Sequence, residues 1–237
     1  MLFQIAWRNI WRNKSRSLVV ITSIIIGVWA GIFILAFIWG LYQNNINESV
    51  FKQLSHIQIH HPTFLEESDS KYTISSTNEI MNRLEADDRI ASVSSRVIST
   101  GMISSPTTAS GVKIYGINPG SEISQIRLNE GVREGSYFDS GKDNEILIGE
   151  KLVRKLKIKL KSKVVLTFTN VNSEIVTGAF RVGGIYRSKN ISLDKINVYV
   201  KQDHLRRLLA LKPFESNEIA ILIKDEDQLD SIKNYSR

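Results

Sequence analysis

The sequence predicts a membrane-anchored α+β protein: one N-terminal transmembrane helix with a stalk, followed by a two-lobed extracytoplasmic domain. Three observations predict it. Residues 18–42 form an apolar run without a charge, the four charges before that run are all cationic, and short strands alternate with short helices after it. Of the 237 residues 31 are Lys or Arg and 24 Asp or Glu, a net charge of +7, and none is Cys. The missing thiols exclude a disulfide framework, a cysteine nucleophile and Cys-ligated zinc or iron–sulfur sites.

The apolar run, LVVITSIIIGVWAGIFILAFIWGLY, would span roughly 37 Å as a helix, enough to cross a hydrocarbon core of about 30 Å with some tilt. It is longer than a buried helix of a soluble core or the apolar region of a signal peptide, so it reads as an uncleaved anchor. Arg8, Arg12, Lys14 and Arg16 precede it with no acid, which by the positive-inside rule places the N-terminus in the cytoplasm and everything from Gln43 onward outside.

Within residues 1–17, Phe3, Trp7, Ile10 and Trp11 recur at helical spacing, and Arg8, Arg12 and Arg16 follow at i, i+4, i+8. That pattern fits an amphipathic interfacial helix in the cytoplasmic headgroup layer, with Trp7 and Trp11 in the interface and Arg8, Arg12 and Arg16 on lipid phosphates. Membrane lipid is thus the first expected partner. Inside the span, Ser23, Gly27 and Gly31 recur every four residues, a small-residue face on which another helix can pack closely. Ile46, Val50 and Leu54 carry the helical stripe past the span, so residues 43–54 read as a helical stalk.

Beyond the stalk, residues 55–60 alternate as a strand. Residues 77–87 read as a helix capped by Asn78, and residues 90–103 as a further strand region, together a β-α-β unit. Residues 104–110 read as a loop and 112–117 as a strand stopped by Asn118-Pro-Gly120. Residues 145–148 form a short strand and 149–156 a short basic helix with Leu152 and Leu156 on one side. Two β runs, 163–169 and 175–186, flank a hairpin turn at residues 170–173. A strand at 196–200, a Leu-rich helix at 202–211 ended near Pro213, a strand at 218–223 and a helix at 225–235 complete the chain. The last strand and helix can rejoin the first β-α-β unit.

Motifs for chemistry are scarce, and no catalytic, cofactor-binding or metal-ligating residue is assigned. The stretch from Gly135 to Gly141-Lys142-Asp143 has five residues between its glycines where a phosphate loop has four, and Asp where Ser or Thr should hold Mg²⁺; it reads as an ordinary turn. His56 and His60 share a strand face with no third ligand evident, so a metal is not expected there. Once the four N-terminal cations are set aside, 27 basic and 24 acidic residues remain, too balanced for a nucleic-acid footprint.

The order of these parts resembles a known family. Ile5-Ala-Trp-Arg-Asn-Ile-Trp-Arg-Asn-Lys-Ser-Arg-Ser17 before one span and Ser55-His-Ile-Gln-Ile-His60 after it look like the N-terminal half of ABC transporter permeases of the MacB, LolC/LolE and FtsX superfamily. The likeness extends through Glu145-Ile-Leu-Ile-Gly-Glu-Lys-Leu152, Lys163-Val-Val-Leu-Thr-Phe168, Phe180-Arg-Val-Gly-Gly-Ile-Tyr186 and Leu205-Arg-Arg-Leu-Leu209. The resemblance implies a MacB-like periplasmic core domain over residues 55–237. A porter-like lobe is expected at about 55–103 and 217–237, and a β-rich second lobe at about 104–216. It further implies a bacterial inner-membrane location, a second permease subunit, a cytoplasmic ABC-type ATPase and a lipoprotein or other periplasmic partner. Members carry three more spans and a coupling helix; in this chain Arg237 falls where the second span of that pattern begins, so the polypeptide alone is not expected to be driven by ATP. The function so implied is a non-enzymatic permease subunit, or its N-terminal fragment, of a mechanotransmitting transporter for lipoprotein release or export of amphiphiles. The alternatives are an FtsX-like regulator of a cell-wall hydrolase and a single-span extracytoplasmic sensor or interaction protein.

Overall fold

The structure, a computed structural model, describes residues 14–53, 57–64, 69–126, 128–139, 141–188 and 193–224, with side chains for all of these except residues 41–53 and Ile126. The chain divides into two compact units, Met1–Asn47 and Glu48–Arg237. The helix expected at residues 225–235 and most of the expected interfacial helix lie outside the described residues.

A 40-residue helix, α1 (Lys14–Gln53), contains the whole apolar run. Lys14–Gly40 is long and apolar enough to cross a membrane, and none of it is buried against protein. A helix apolar on every side is one whose solvent is hydrocarbon, where its own backbone hydrogen bonds satisfy every peptide group but those at its ends.

The second unit is mixed α+β. Its strands are β1 (Ile57–His60), β2 (Ile90–Ser104), β3 (Ala109–Ile117), β4 (Val132–Gly135), β5 (Glu145–Gly149), β6 (Lys163–Thr169), β7 (Ile175–Tyr186), β8 (Asn197–Lys201) and β9 (Glu218–Ile223). Its helices are α2 (Thr77–Glu85), α3 (Pro119–Ile126), α4 (Glu150–Leu156) and α5 (Gln202–Leu208), with 3-10 turns at Leu128–Gly131 and Leu193–Lys195.

Strand β2 belongs to two assemblies. Ile90 to Arg96 pair antiparallel with β9, which pairs in turn with β1, while Arg96 to Ser104 pair with β3. From β3 the pairing passes to β8, β5, β7 and β6, and β6 returns to β2 through Gly101 to Ser104. Six strands therefore close into a ring, which removes their free edges.

Alternation fills the ring. In β6, Val164, Leu166 and Phe168 are buried while Lys163 and Thr169 are exposed. Their partners inside are Phe180 and Val182 of β7, Ile146 and Ile148 of β5, and Val198 and Val200 of β8. Leu152 and Leu156 of α4 and Leu205 of α5 join the same cluster. A separate apolar cluster holds α2 on the β1–β9–β2 sheet through Ile80, Met81 and Leu84 against Val93, Ile219 and Ile221.

Several expectations are corrected. Ser76 rather than Asn78 holds the N-cap position of α2, without a side-chain capping bond, and Thr77 turns its hydroxyl back to the Ile74 carbonyl at 3.0 Å. The loop at 104–110 is a tight connection: Ser105 N–H donates to Thr108 O at 2.9 Å, and β3 begins at Ala109. Asn118-Pro-Gly120 opens a helix as well as stopping a strand. Pro119 occupies the first helical position, where no N–H is needed, and Asn118 O accepts from Glu122 N at 3.0 Å. The 3-10 turn and β4 that follow were not foreseen. Helix α5 ends at Leu208, before Pro213, because Ala210 takes a left-handed conformation with φ of 57°.

Because Phe180 is 1% exposed inside the ring, Phe180→Ala is expected to cost about 3–5 kcal/mol, whereas Ile175→Ala, on a side chain 78% exposed, should stay within about 0.5 kcal/mol. Urea unfolding of the full chain in detergent checks both.

Candidate functional site

On α1, Ser23, Gly27 and Gly31 lie within about 80° of arc at 100° per residue. A side-chain carbon added at Gly27 or Gly31 would meet nothing within 4 Å, so the face is open to a close neighbour. The Ser23 hydroxyl donates to Val20 O at 2.9 Å and carries no unmet hydrogen bond into that face. Trp29, Phe33 and Phe37 stack at 5.8 and 6.3 Å between ring centroids, on a stripe centred about 120° round the helix from Gly27. Arg16 lies exposed near the start of α1, whereas Trp7, Arg8, Trp11 and Arg12 lie outside the described residues.

In the outer unit the register of three strands builds a charged row. Glu218 of β9 is opposite His60 of β1 on one side and Arg96 of β2 on the other. Arg96, only 3% exposed, donates from Nη1 to Glu218 Oε1 at 2.5 Å and from Nε to Glu122 Oε1 at 2.8 Å. Glu122 comes from α3, and Ser94 donates to its second oxygen at 2.8 Å. The unforeseen helix thus supplies the second carboxylate. Burial pulls the Arg96 pKa down, but Glu122 and then Glu218 outweigh it, so the net shift is upward and the guanidinium stays charged. The phenols nearby are pushed up, Tyr115 by burial and then Glu218, and Tyr137 by burial and then Glu122.

Asn217, fully buried, extends the joint. Its Oδ1 accepts from Ile98 N at 3.0 Å, and its Nδ2 donates to Ser70 O at 3.0 Å and Tyr72 O at 2.9 Å. The side chain ties the segment before α2 to β2 at the place where β2 leaves β9. His60 completes the row: Nδ1 is 3.2 Å from Asn217 O, Nε2 is 3.6 Å from Glu218 Oε2, and the ring stacks on Phe64. His56 lies outside the described residues, and His61 stacks on Tyr72.

A cavity of 410 Å³ lies elsewhere, where the start of β5, the middle of β7 and the loop before β6 meet the end of β4. Gly135, Ser136 and Lys142 line it, so the segment read as an ordinary turn contributes to a concave surface. Gly135 has φ of 82°, and a side chain there would collide with Gly183 O and Leu160.

An apolar anchor helix with an α+β extracytoplasmic domain defines a membrane-anchored protein whose bulk works outside the membrane. The chain belongs to the MacB-like periplasmic core domain family, whose model matches residues 17–235. That is the outer domain of ABC transporter permeases of the MacB and FtsX kind, and the relatives are transporter permease domains, not enzymes. The family implies an ATPase subunit and dimerisation.

Among solved structures, the extracellular domain of the noncanonic ABC-type transporter YknZ from Gram-positive bacteria is similar at 17% identity and a TM-score of 0.51, over 73% of this chain and 86% of that one. The periplasmic region of MacB from Actinobacillus actinomycetemcomitans gives 15% and 0.46, over 68% and 74%. A domain of a putative permease protein from Porphyromonas gingivalis gives 13% and 0.42, over 70% and 78%. No curated protein sequence matches.

Removing one partner from a buried ion pair strands the others, so Arg96→Met should cost at least about 3 kcal/mol. Adding Glu122→Gln and Glu218→Gln should recover at least about half of that loss, because no buried charge then stands unpaired. Urea midpoints of the single and triple variants test this.

Proposed function

We propose that the chain is a permease subunit, or the N-terminal part of one, in a mechanotransmitting ABC transporter of a bacterial inner membrane. In this reading it serves lipoprotein release or the export of amphiphilic substrates. The observation that carries the reading is the family match, which begins at residue 17 in the anchor helix and continues to residue 235. An anchor and outer domain that belong to one family unit suit a subunit whose membrane helix moves its outer domain.

The anchor supports the reading from its own geometry. Its small-residue face is open, and in lipid such faces are covered by a neighbouring helix, since no hydrophobic drive holds helices together there. We assign Ser23, Gly27 and Gly31 to packing against another permease helix, and Trp7, Arg8, Trp11, Arg12 and Arg16 to the cytoplasmic interface. The N-terminus is then cytoplasmic, residues 18–42 span, residues 43–54 form the stalk and residues 55–237 are periplasmic. The lobes divide at about residues 103 and 217.

Purification of the full chain from native membranes should recover an ATP-hydrolysing subunit and a second permease subunit in fixed ratio. Recovery of the chain alone would sink the reading. With Gly27→Leu and Gly31→Leu together, recovery of the second permease should fall about tenfold at unchanged expression, because the added side chains hold the helices apart.

A further inference from the structure

The positive charge of the outer unit is concentrated. Between Lys151 and Lys163 the sequence KLVRKLKIKLKSK holds seven cations and no acid. From Lys157 onward every second residue is Lys, and the structure shows why they face outward: Ile158 and Leu160 between them pack on the ring core. Left-handed turns at Lys157 and Lys161, with φ of 53° and 66°, shape this loop. It is pinned to β7, with Lys161 N donating to Val182 O at 2.8 Å and Val182 N to Ser162 O at 3.0 Å. Among the described residues no carboxylate lies within 4.0 Å of Lys157, Lys159, Lys161 or Lys163.

One of these lysines reaches the cavity. Lys161, Lys142 and Arg181 line it, all exposed at its mouth, and Arg181 is fixed there by donating from Nη1 to Lys161 O at 3.0 Å. Leu160, partly exposed, supplies apolar wall, and the main chain of Gly135 and Gly183 lines the rest. Glu145, 4% exposed, is the one carboxylate of the lining, and Gly183 makes room for it, since a side chain there would collide with it. Three cations against one carboxylate leave the lining net positive, and the loop lysines extend that field beyond it.

We propose that this cavity binds the anionic head of an amphiphile, a phosphate or carboxylate, with Arg181 and Lys161 on the head and Leu160 against the first carbons of its tail. A guanidinium offers a planar fork to such a group and an ammonium a mobile point charge, so the pair suits an oxyanion of varied orientation. The volume of 410 Å³ suits a headgroup with a short alkyl stem and is too small for a whole diacyl lipid. The proposal deepens the reading of a permease that acts on amphiphiles and rests on it only for the ligand's origin. Binding needs neither ATPase nor second subunit, so its failure leaves that reading standing.

The probe is hexyl phosphate, titrated calorimetrically into the full chain in phosphatidylcholine nanodiscs. One saturable site per chain is expected, weakened at least about tenfold in Lys161→Glu/Arg181→Glu and unchanged in Arg83→Glu on α2. Lys161→Gln, expected to weaken binding less, serves if the double reversal does not fold, as judged by circular dichroism. Inorganic phosphate should bind more weakly than hexyl phosphate, and hexyltrimethylammonium should not bind. Absence of saturable binding, equal binding by the charge-reversed chain or by Lys161→Gln, or equal affinity for the ammonium probe or for inorganic phosphate, overturns the proposal. Repeating the titration with phosphatidylglycerol in the discs separates sources: competition assigns the site to a lipid headgroup, and an unchanged affinity assigns it to a soluble amphiphile.

Discussion

Arg96 occupies a position in the outer unit where three parts of the fold meet. Strand β2 leaves its pairing with β9 there and continues with β3 into the closed ring, and the guanidinium bonds a carboxylate from β9 and one from α3. A charge in that place costs several kcal/mol to desolvate and is tolerable only with its partners in position. The cost makes the joint specific. A slip of one residue between β2 and β9 would turn Arg96 or Glu218 to the opposite face and leave a buried charge unpaired.

A paired polar joint of this kind rigidifies the strands it connects. Hydrogen bonds to charged groups are short and directional, and Asn217 adds three further bonds from a single buried side chain. The β1–β9–β2 sheet and the ring therefore share a continuous strand and a locked polar contact. In the proposed reading of a mechanotransmitting subunit, a stiff outer body is the mechanical counterpart of a moving helix.

The sequence made much of this legible, and the limits are physical. The anchor was plain because hydrocarbon demands an unbroken apolar run, strands β6 and β7 because half-buried strands alternate with period two, and β9 because a short apolar run suits a strand buried on both faces. The 170–173 hairpin followed from its turn residues; Asn170 Oδ1 accepts from Asn172 N and Glu174 N at 2.9 and 3.0 Å. Helix α3 was missed although Asn118 and Pro119 are start signals, because the same residues also end a strand. The Arg96 row could not be read locally, since its carboxylates lie 26 and 122 positions away in the chain. The cavity was hidden for the same reason, although the lysine alternation beside it was visible. Only the fold shows that its intervening apolar residues turn inward.

The closed ring also sets a schedule. Its strands pair out of chain order: β3 needs β8, and residue 113 waits for residue 197 before the circuit is complete. Such non-local pairings fold slowly compared with hairpins and helices. A chain threaded outward across a membrane from its anchor can form the β2–β3 and β6–β7 hairpins early. It cannot seal the ring until β8 has emerged, more than 150 residues after the anchor has been laid down. During that interval β5 lacks its β8 neighbour and Val164, Leu166 and Phe168 lack a finished core, so the nascent domain passes through a stage exposed to proteases and to mispairing before it becomes resistant to both.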